Sequence, residues 1–119
     1  MQRHNFKKLN IWKEGMFLCQ ETYKMVKNFP DIEKYNLVSQ LLRCAVSIPS
    51  NIAEGTSKRT NKHFIQYLEI SLGSAFEWET QLIIAYTEQY ITETKFSELE
   101  TKIQELQKML SNFIDRLDS

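Results

Sequence analysis

Residues 92–117, TETKFSELETKIQELQKMLSNFIDRL, carry an apolar side chain every three or four positions. At 100° per residue, Phe96, Leu99, Ile103, Leu106, Leu110, Phe113, Ile114 and Leu117 gather on one flank, while Glu, Lys, Gln and Ser fill the other. A strand would alternate with period two, so the stretch reads as a helix. Thr92 stands where an N-cap belongs, and Glu93 suits the positive end of the helix dipole. A ribbon apolar along one flank cannot bury that flank alone, so the rest of the chain has to supply partners.

Three more helices are read upstream. The first gathers Leu9, Ile11, Trp12, Met16, Leu18, Cys19, Tyr23, Val26 and Phe29 opposite Lys13, Gln20, Glu21, Lys24 and Asn28, and Pro30 ends it. A second is expected from about Asp31 or Ile32 to Glu54, stopping at Gly55 and burying Leu37, Val38, Leu41, Ala45, Ile48 and Ile52. Pro49 removes a helical N–H and crowds the preceding turn, which predicts a kink there; Ile52 returns to the same stripe, so the helix continues. The third, capped by Thr60, carries Phe64, Leu68, Leu72, Ala75, Leu82 and Tyr86 inward and extends to about Tyr90. Short connections make successive helices antiparallel. The expected architecture is an all-α, up-down-up-down four-helix bundle, one domain over residues 1–119, with its second helix kinked near Pro49.

Composition agrees with this. Three glycines and two prolines are few for a chain rich in turns. Lys7, Lys8, Lys13 and Glu14 interrupt the apolar residues of the N-terminus, and no apolar run approaches the ~20 residues of a membrane span, so a cytoplasmic protein with no membrane partner is expected. Cys19 and Cys44 lack any metal-ligand or redox spacing and read as free thiols. There is no glycine-rich phosphate loop, HExxH or ExxH pair, so neither a cofactor, a metal nor an enzymatic activity is expected.

Net charge is zero, but residues 1–62 hold eleven Lys/Arg against five Asp/Glu and residues 63–119 hold four against ten. Such polarity builds a basic surface, unless antiparallel helices of opposite sign lie side by side and cancel. Lys58, Arg59, Lys62 and His63 cluster at the turn before the third helix, where the dipole also favours anions. That corner is either a nucleic-acid contact or a solvated turn.

Several residues break the stripes. Phe17, Ile70 and Ile84 point to polar flanks, which suggests self-association. Glu79 projects into the apolar arc of the third helix and needs a donor, for which Gln40 and Asn51 are candidates. Gln40, Arg43, Ser47, Asn51 and Glu54 form a polar strip on the second helix, either a ligand or subunit contact or a solvated face. Gly73 costs about 1 kcal/mol relative to Ala in mid-helix, and with Ser71, Ser74 and Ala75 it predicts close packing of another backbone. A catalytic reading would require Glu79 and Glu54 to converge.

The run SQLLRCAVSIPSNIAEGTSKR (39–59) resembles the signature of the bacterial 23S rRNA intervening-sequence protein family. NIWKEG (10–15), the spaced FP–E–YNLVSQ (29–40) and LEISLGSAFEWETQL (68–82) extend the resemblance over nearly the whole chain. It implies a four-helix bundle assembled as a ring-like homopentamer. The residues matching the family pattern are Gln40, Arg43, Ser47, Pro49, Asn51 and Ile52, then Ala53, Glu54, Gly55 and Arg59, and in the third helix Gly73, Ser74, Glu77 and Glu79; no catalytic role attaches to them. A related accessory protein of diversity-generating retroelements binds nucleic acid and a reverse transcriptase through a basic barrel. The chain departs from the pattern at Leu42, where an arginine commonly precedes Arg43, and at Trp78, where leucine is usual. Two functions are therefore expected to compete: a homo-oligomeric scaffold binding RNA or DNA, and a module recruiting a partner protein.

Overall fold

The computed structural model describes residues 4–119, and in it the four apolar stripes close on one another. The helices are α1 (Asn10–Val26), α2 (Leu37–Thr56), α3 (Asn61–Thr87) and α4 (Glu93–Asp118). Each packs against its neighbours in sequence and α4 returns to α1, so α1 and α3 lie on one diagonal of the bundle and α2 and α4 on the other. The molecule measures 48 × 24 × 20 Å. That length fits a 27-residue α3 rising about 1.5 Å per residue. Among the described residues no helix is long and apolar enough to cross a membrane.

The core is what the stripes require. Leu18, Leu41, Ile48, Ile52, Phe64, Leu68, Leu82, Leu99, Ile103, Leu106 and Leu110 are buried, each contributing about 1.5–3 kcal/mol relative to exposure. Trp78, absent from the expected stripe, is the largest fully buried side chain. Its indole N–H donates to Thr22 Oγ1 at 3.0 Å, and Thr22 donates onward to the Leu18 carbonyl at 2.6 Å. Ser71, also fully buried, donates to the Ile48 carbonyl at 2.9 Å and ties α3 to α2. Tyr23, expected with the apolar residues of α1, is instead exposed, because it sits at the rim of the stripe.

The helix ends correct the sequence reading. After Pro30 in extended conformation, Asp31–Glu33 forms a single 3-10 turn, and α2 begins only at Leu37. Glu33 produces the delay: its carboxylate accepts the Leu37 N–H at 3.4 Å and the Asn36 side-chain amide at 3.2 Å, capping α2 from four residues upstream. The other oxygen of Glu33 accepts the Tyr90 hydroxyl at 2.8 Å. α1 stops at Val26, and the turn that follows carries Phe29 to within 5.3 Å of the Tyr90 ring.

Gly55 does not stop α2, which runs to Thr56 with Pro49 buried inside it. A Cβ on Gly55 would meet the Phe64 ring at 2.8 Å, so this glycine lets α3 approach rather than ending a helix. α3 in turn ends at Thr87, short of Tyr90. Gln89 takes φ 65°, the Tyr90 N–H reaches the Ala85 carbonyl and the Gln89 N–H reaches Tyr86, the paired bonds of a Schellman C-cap.

Candidate functional site

An even number of antiparallel helices brings the start of the chain, the α2–α3 turn and the end of α4 to one pole. His4 lies 5.5 Å from the Phe64 ring and 6.0 Å from Phe113, and the Asn61 amide reaches the Leu117 carbonyl at 3.4 Å. Thr60 caps α3 as expected, accepting the His63 N–H at 3.2 Å, with His63 Nδ1 3.1 Å from the same hydroxyl. Lys58 holds its ammonium 4.9 Å from the Tyr67 ring centre. Lys8 and Arg116 line a shared cavity of about 320 Å³.

The predicted cluster of Lys58, Arg59, Lys62 and His63 is thus joined by Lys7, Lys8 and Arg116, which the sequence reading did not single out. Among the described residues, ion pairs involve only Lys24, Lys95 and Lys102, so none of these polar-end cations has a carboxylate within 4.0 Å. The N-terminus of α3 opens in the same place, beside the C-termini of α2 and α4, and six Lys/Arg at this end, Lys7, Lys8, Lys58, Arg59, Lys62 and Arg116, stand with three acidic side chains, Glu54, Asp115 and Asp118.

Among the described residues the ion pairs between helices do not match the basic half of the chain against the acidic half. The pairs between the first and last helices run the other way: lysines on acid-rich α4 meet glutamates of α1, Lys95–Glu21 at 2.9 Å and Lys102–Glu14 at 3.8 Å. Within the helices α1 and α2 are neutral, Lys13 and Lys24 balancing Glu14 and Glu21, and Arg43 balancing Glu54. The surplus of residues 1–62 comes from the segments at the helix ends. Lys95, with Lys24, holds the Glu21 carboxyl below its ordinary range.

The polar strip of α2 has a different setting. Gln40, Arg43, Cys44 and Ser47 of α2, with Ser74 and Glu77 of α3, line a cleft of about 170 Å³ on the outer seam of these helices. Ser47 and Ser74 share a hydrogen bond of 2.9 Å, and the Asn51 amide donates to the Ser47 carbonyl at 2.8 Å and hydroxyl at 2.9 Å. Arg43 turns back to Ser39 at 3.4 Å. Burial, followed by the charge of Glu77, pushes the Cys44 thiol up to about 11, so this cysteine is protonated and unreactive at neutral pH. Gln81, beside Cys44 and only 5% exposed, has no partner for its Oε1 among the described residues.

Glu79 finds its donors elsewhere than expected. Gln107 and Gln104 of α4 donate to its two oxygens at 2.9 and 3.0 Å, because Glu79 sits on the edge of α3 that faces α4, away from Gln40 and Asn51. Glu54, in the last turn of α2 near the basic pole, does not converge with it: Glu79 lies 18 residues beyond the start of α3, about 27 Å along its axis.

Phe17, Ile70 and Ile84 are exposed at 40%, 52% and 44%, joined by Phe76 and Ile83, which the stripes did not flag. Phe17 and the α3 residues belong to diagonal helices and face opposite sides of the bundle. Phe17 lies beneath the Lys102 ammonium, 5.4 Å from its ring centre, in the groove between α1 and α4. Around Gly73 the expectation of close packing fails within the chain, since a Cβ there would meet nothing within 4 Å. Close approaches occur instead at Gly15, 3.2 Å from Ile48, and at Gly55.

The family model of the 23S rRNA-intervening sequence protein matches residues 7–112. Among solved structures, a Bacteroides thetaiotaomicron protein, described as one of unknown function from the S23 ribosomal protein family, is 25% identical with a TM-score of 0.79. The match covers 87% of this chain and 97% of that one. No curated protein matches the chain.

Proposed function

The chain belongs to the 23S rRNA-intervening sequence protein family, and from that premise we propose that it is a non-catalytic, self-associating bundle that holds RNA or DNA against its basic pole. The observation that carries the reading is the gathering of Lys7, Lys8, Lys58, Arg59, Lys62 and Arg116 at one end of the bundle, with no carboxylate within 4.0 Å of any of them among the described residues, beside the N-terminus of a long helix. Phosphates replace water and counterions at such a surface without any requirement for base contacts.

Self-association is supported by the placement of Phe17 opposite Ile70 and Ile84. Unlike patches on opposite sides favour a head-to-tail contact, which closes into a ring when the rotation allows; the homopentamer implied by the family resemblance is an assembly of that kind. A ring would repeat the basic pole around one axis and multiply weak phosphate contacts.

Fluorescence anisotropy with a structured RNA and a single-stranded DNA at low salt tests the binding. Wild type is expected to bind, and Lys58→Gln/Arg59→Gln/Lys62→Gln to bind at least tenfold more weakly; no binding by wild type overturns the reading. Light scattering that returns a monomer removes the scaffold. A second reading, recruitment of a partner protein, is favoured by the α1–α4 groove, about 720 Å³ with Phe17 on its wall. Capture of one stoichiometric protein from the native host, together with failure to bind nucleic acid, would select it.

A further inference from the structure

We propose that the cavity between the start of α1 and the end of α4 takes an unpaired nucleobase of a single strand, with the phosphate of that nucleotide at the rim between Lys8 and Arg116. The inference rests on the reading of the basic pole as a nucleic-acid surface, and adds to it a preference for unpaired strands.

The topology sets the first turn of α1 against the last turns of α4. Between them lies a cavity of about 320 Å³, inside the range of about 300–1,000 Å³ usual for small-ligand sites. Its walls are apolar, Leu9 and Ile11 on one side and Met109 and Phe113 on the other. A phosphate alone has no use for such walls, whereas every base has an apolar face that does. Four exposed polar side chains, Lys8, Asn10, Asn112 and Arg116, stand around them. The lining holds no carboxylate, while the groove beside Phe17 is lined by Glu21, Glu93 and Glu98 and would repel a phosphate.

Each part of a nucleotide finds a counterpart. The Phe113 ring packs against Phe64 at 5.7 Å and has the Arg116 guanidinium carbon 5.5 Å from its centre. Bases stack on aromatic rings and on guanidinium planes alike. Neither Asn10 nor Asn112 spends its side-chain amide on a partner among the described residues. Each amide offers a donor and an acceptor together, the combination that the open edge of a base can pair with. Leu9 stands at the N-cap of α1 without a side-chain hydrogen bond, where Thr60 and Thr92 cap α3 and α4. First-turn N–H groups of α1 are thereby left beside Lys8 for a phosphate oxygen.

A strand suits the cavity better than a free nucleotide, because Lys7, Lys58, Arg59 and Lys62 at the same pole can take the neighbouring phosphates. A base held in a duplex cannot enter.

Anisotropy at low salt on the full chain tests this with a short oligo-deoxyadenylate and an all-abasic strand of the same length; residue-resolved NMR follows AMP. Wild type is expected to bind the base-bearing strand about tenfold more tightly than the abasic one. Asn112→Ala and Asn10→Ala, at exposed positions, should shrink that ratio severalfold and leave the abasic affinity unchanged. Lys58→Gln/Arg59→Gln/Lys62→Gln should weaken both strands alike and preserve the ratio. AMP should shift the Met109, Asn112 and Phe113 signals saturably.

Equal affinities for the two strands, or a ratio indifferent to both asparagine changes, would overturn the base site and leave the basic pole standing. If neither strand binds while AMP still shifts the three signals, the pole reading fails and a free nucleotide is the occupant. Absence of all binding would overturn both.

Discussion

Trp78 donates its indole N–H to the Thr22 hydroxyl at 3.0 Å, joining α3 to α1 across a diagonal of the bundle whose sides are otherwise held by neighbouring helices. Both residues are fully buried, and Thr22 returns its own proton to Leu18 in the previous turn, so the chain of polar groups closes inside the core. Thr22→Val keeps the volume but strands the indole N–H, and is expected to cost about 1–3 kcal/mol. Urea unfolding of Thr22→Val, Trp78→Phe and the double variant measures it. The two effects should fall short of additivity, because each single change already breaks the bond; additive losses would show that the contact contributes nothing.

Gln89 holds the left-handed position of the α3 C-cap at φ 65°, where a side chain is strained and glycine is not. Gln89→Gly is therefore expected to stabilise the protein by up to about 1 kcal/mol, raising Tm by a few degrees in calorimetry. A fall in Tm would mean that the Gln89 side chain makes a contact outweighing the backbone strain.

Two glycines of the family-like pattern should respond oppositely to alanine. Gly55→Ala drives a methyl into the Phe64 ring and is expected to destabilise by about 1–3 kcal/mol. Gly73→Ala fills open space and should stabilise the isolated chain by about 1 kcal/mol through helix propensity. Should Gly73→Ala also lower the assembled mass in light scattering, the free face of α3 is where another copy approaches; an unchanged mass places the contact elsewhere.

Glu21 is held below its usual carboxyl range chiefly by its hydrogen bond to Lys95. A carboxyl whose folded pKa is depressed contributes stability that is complete above its unfolded value and disappears as pH falls through the folded one. Lys95→Met should accordingly lower stability at pH 7 and flatten its decline in the acid range below the ordinary carboxyl pKa of 4.5. Urea midpoints at pH 7 and through the range below 4.5 check this, and parallel pH profiles for variant and wild type would exclude the pair as a contributor.

Most of the bundle was legible because each helix keeps one apolar flank at the helical period, and the caps at Thr60 and Thr92 are in place. The boundaries that differed depend on contacts invisible to local pattern. Glu33 delays α2 through bonds to Leu37 and to distant Tyr90, and Gly55 is inside a helix because Phe64 comes close. Trp78 was left out of the stripe because it lies beside the arc centred on Leu68 and Leu82; its burial in the core, where its indole meets Thr22 of α1, is a tertiary contact that local period does not give. At the candidate site, Lys58 to His63 were evident as a run, whereas Lys7, Lys8 and Arg116 join them only through the up-down-up-down topology. That topology was itself expected, so it could have named them. The partner of Glu79 was misplaced because periodicity gives a face but not which neighbour occupies it.

The most direct test of the basic pole is the salt dependence of nucleic-acid affinity, measured by anisotropy on one duplex DNA for wild type and for Lys58→Gln/Arg59→Gln/Lys62→Gln. Each phosphate contact contributes about −0.9 to the slope of log K against log salt concentration. The account predicts a steep slope for wild type and one shallower by about 2–3 for the triple variant, as those contacts are removed. A slope near zero in wild type, or identical slopes in the two proteins, would contradict it.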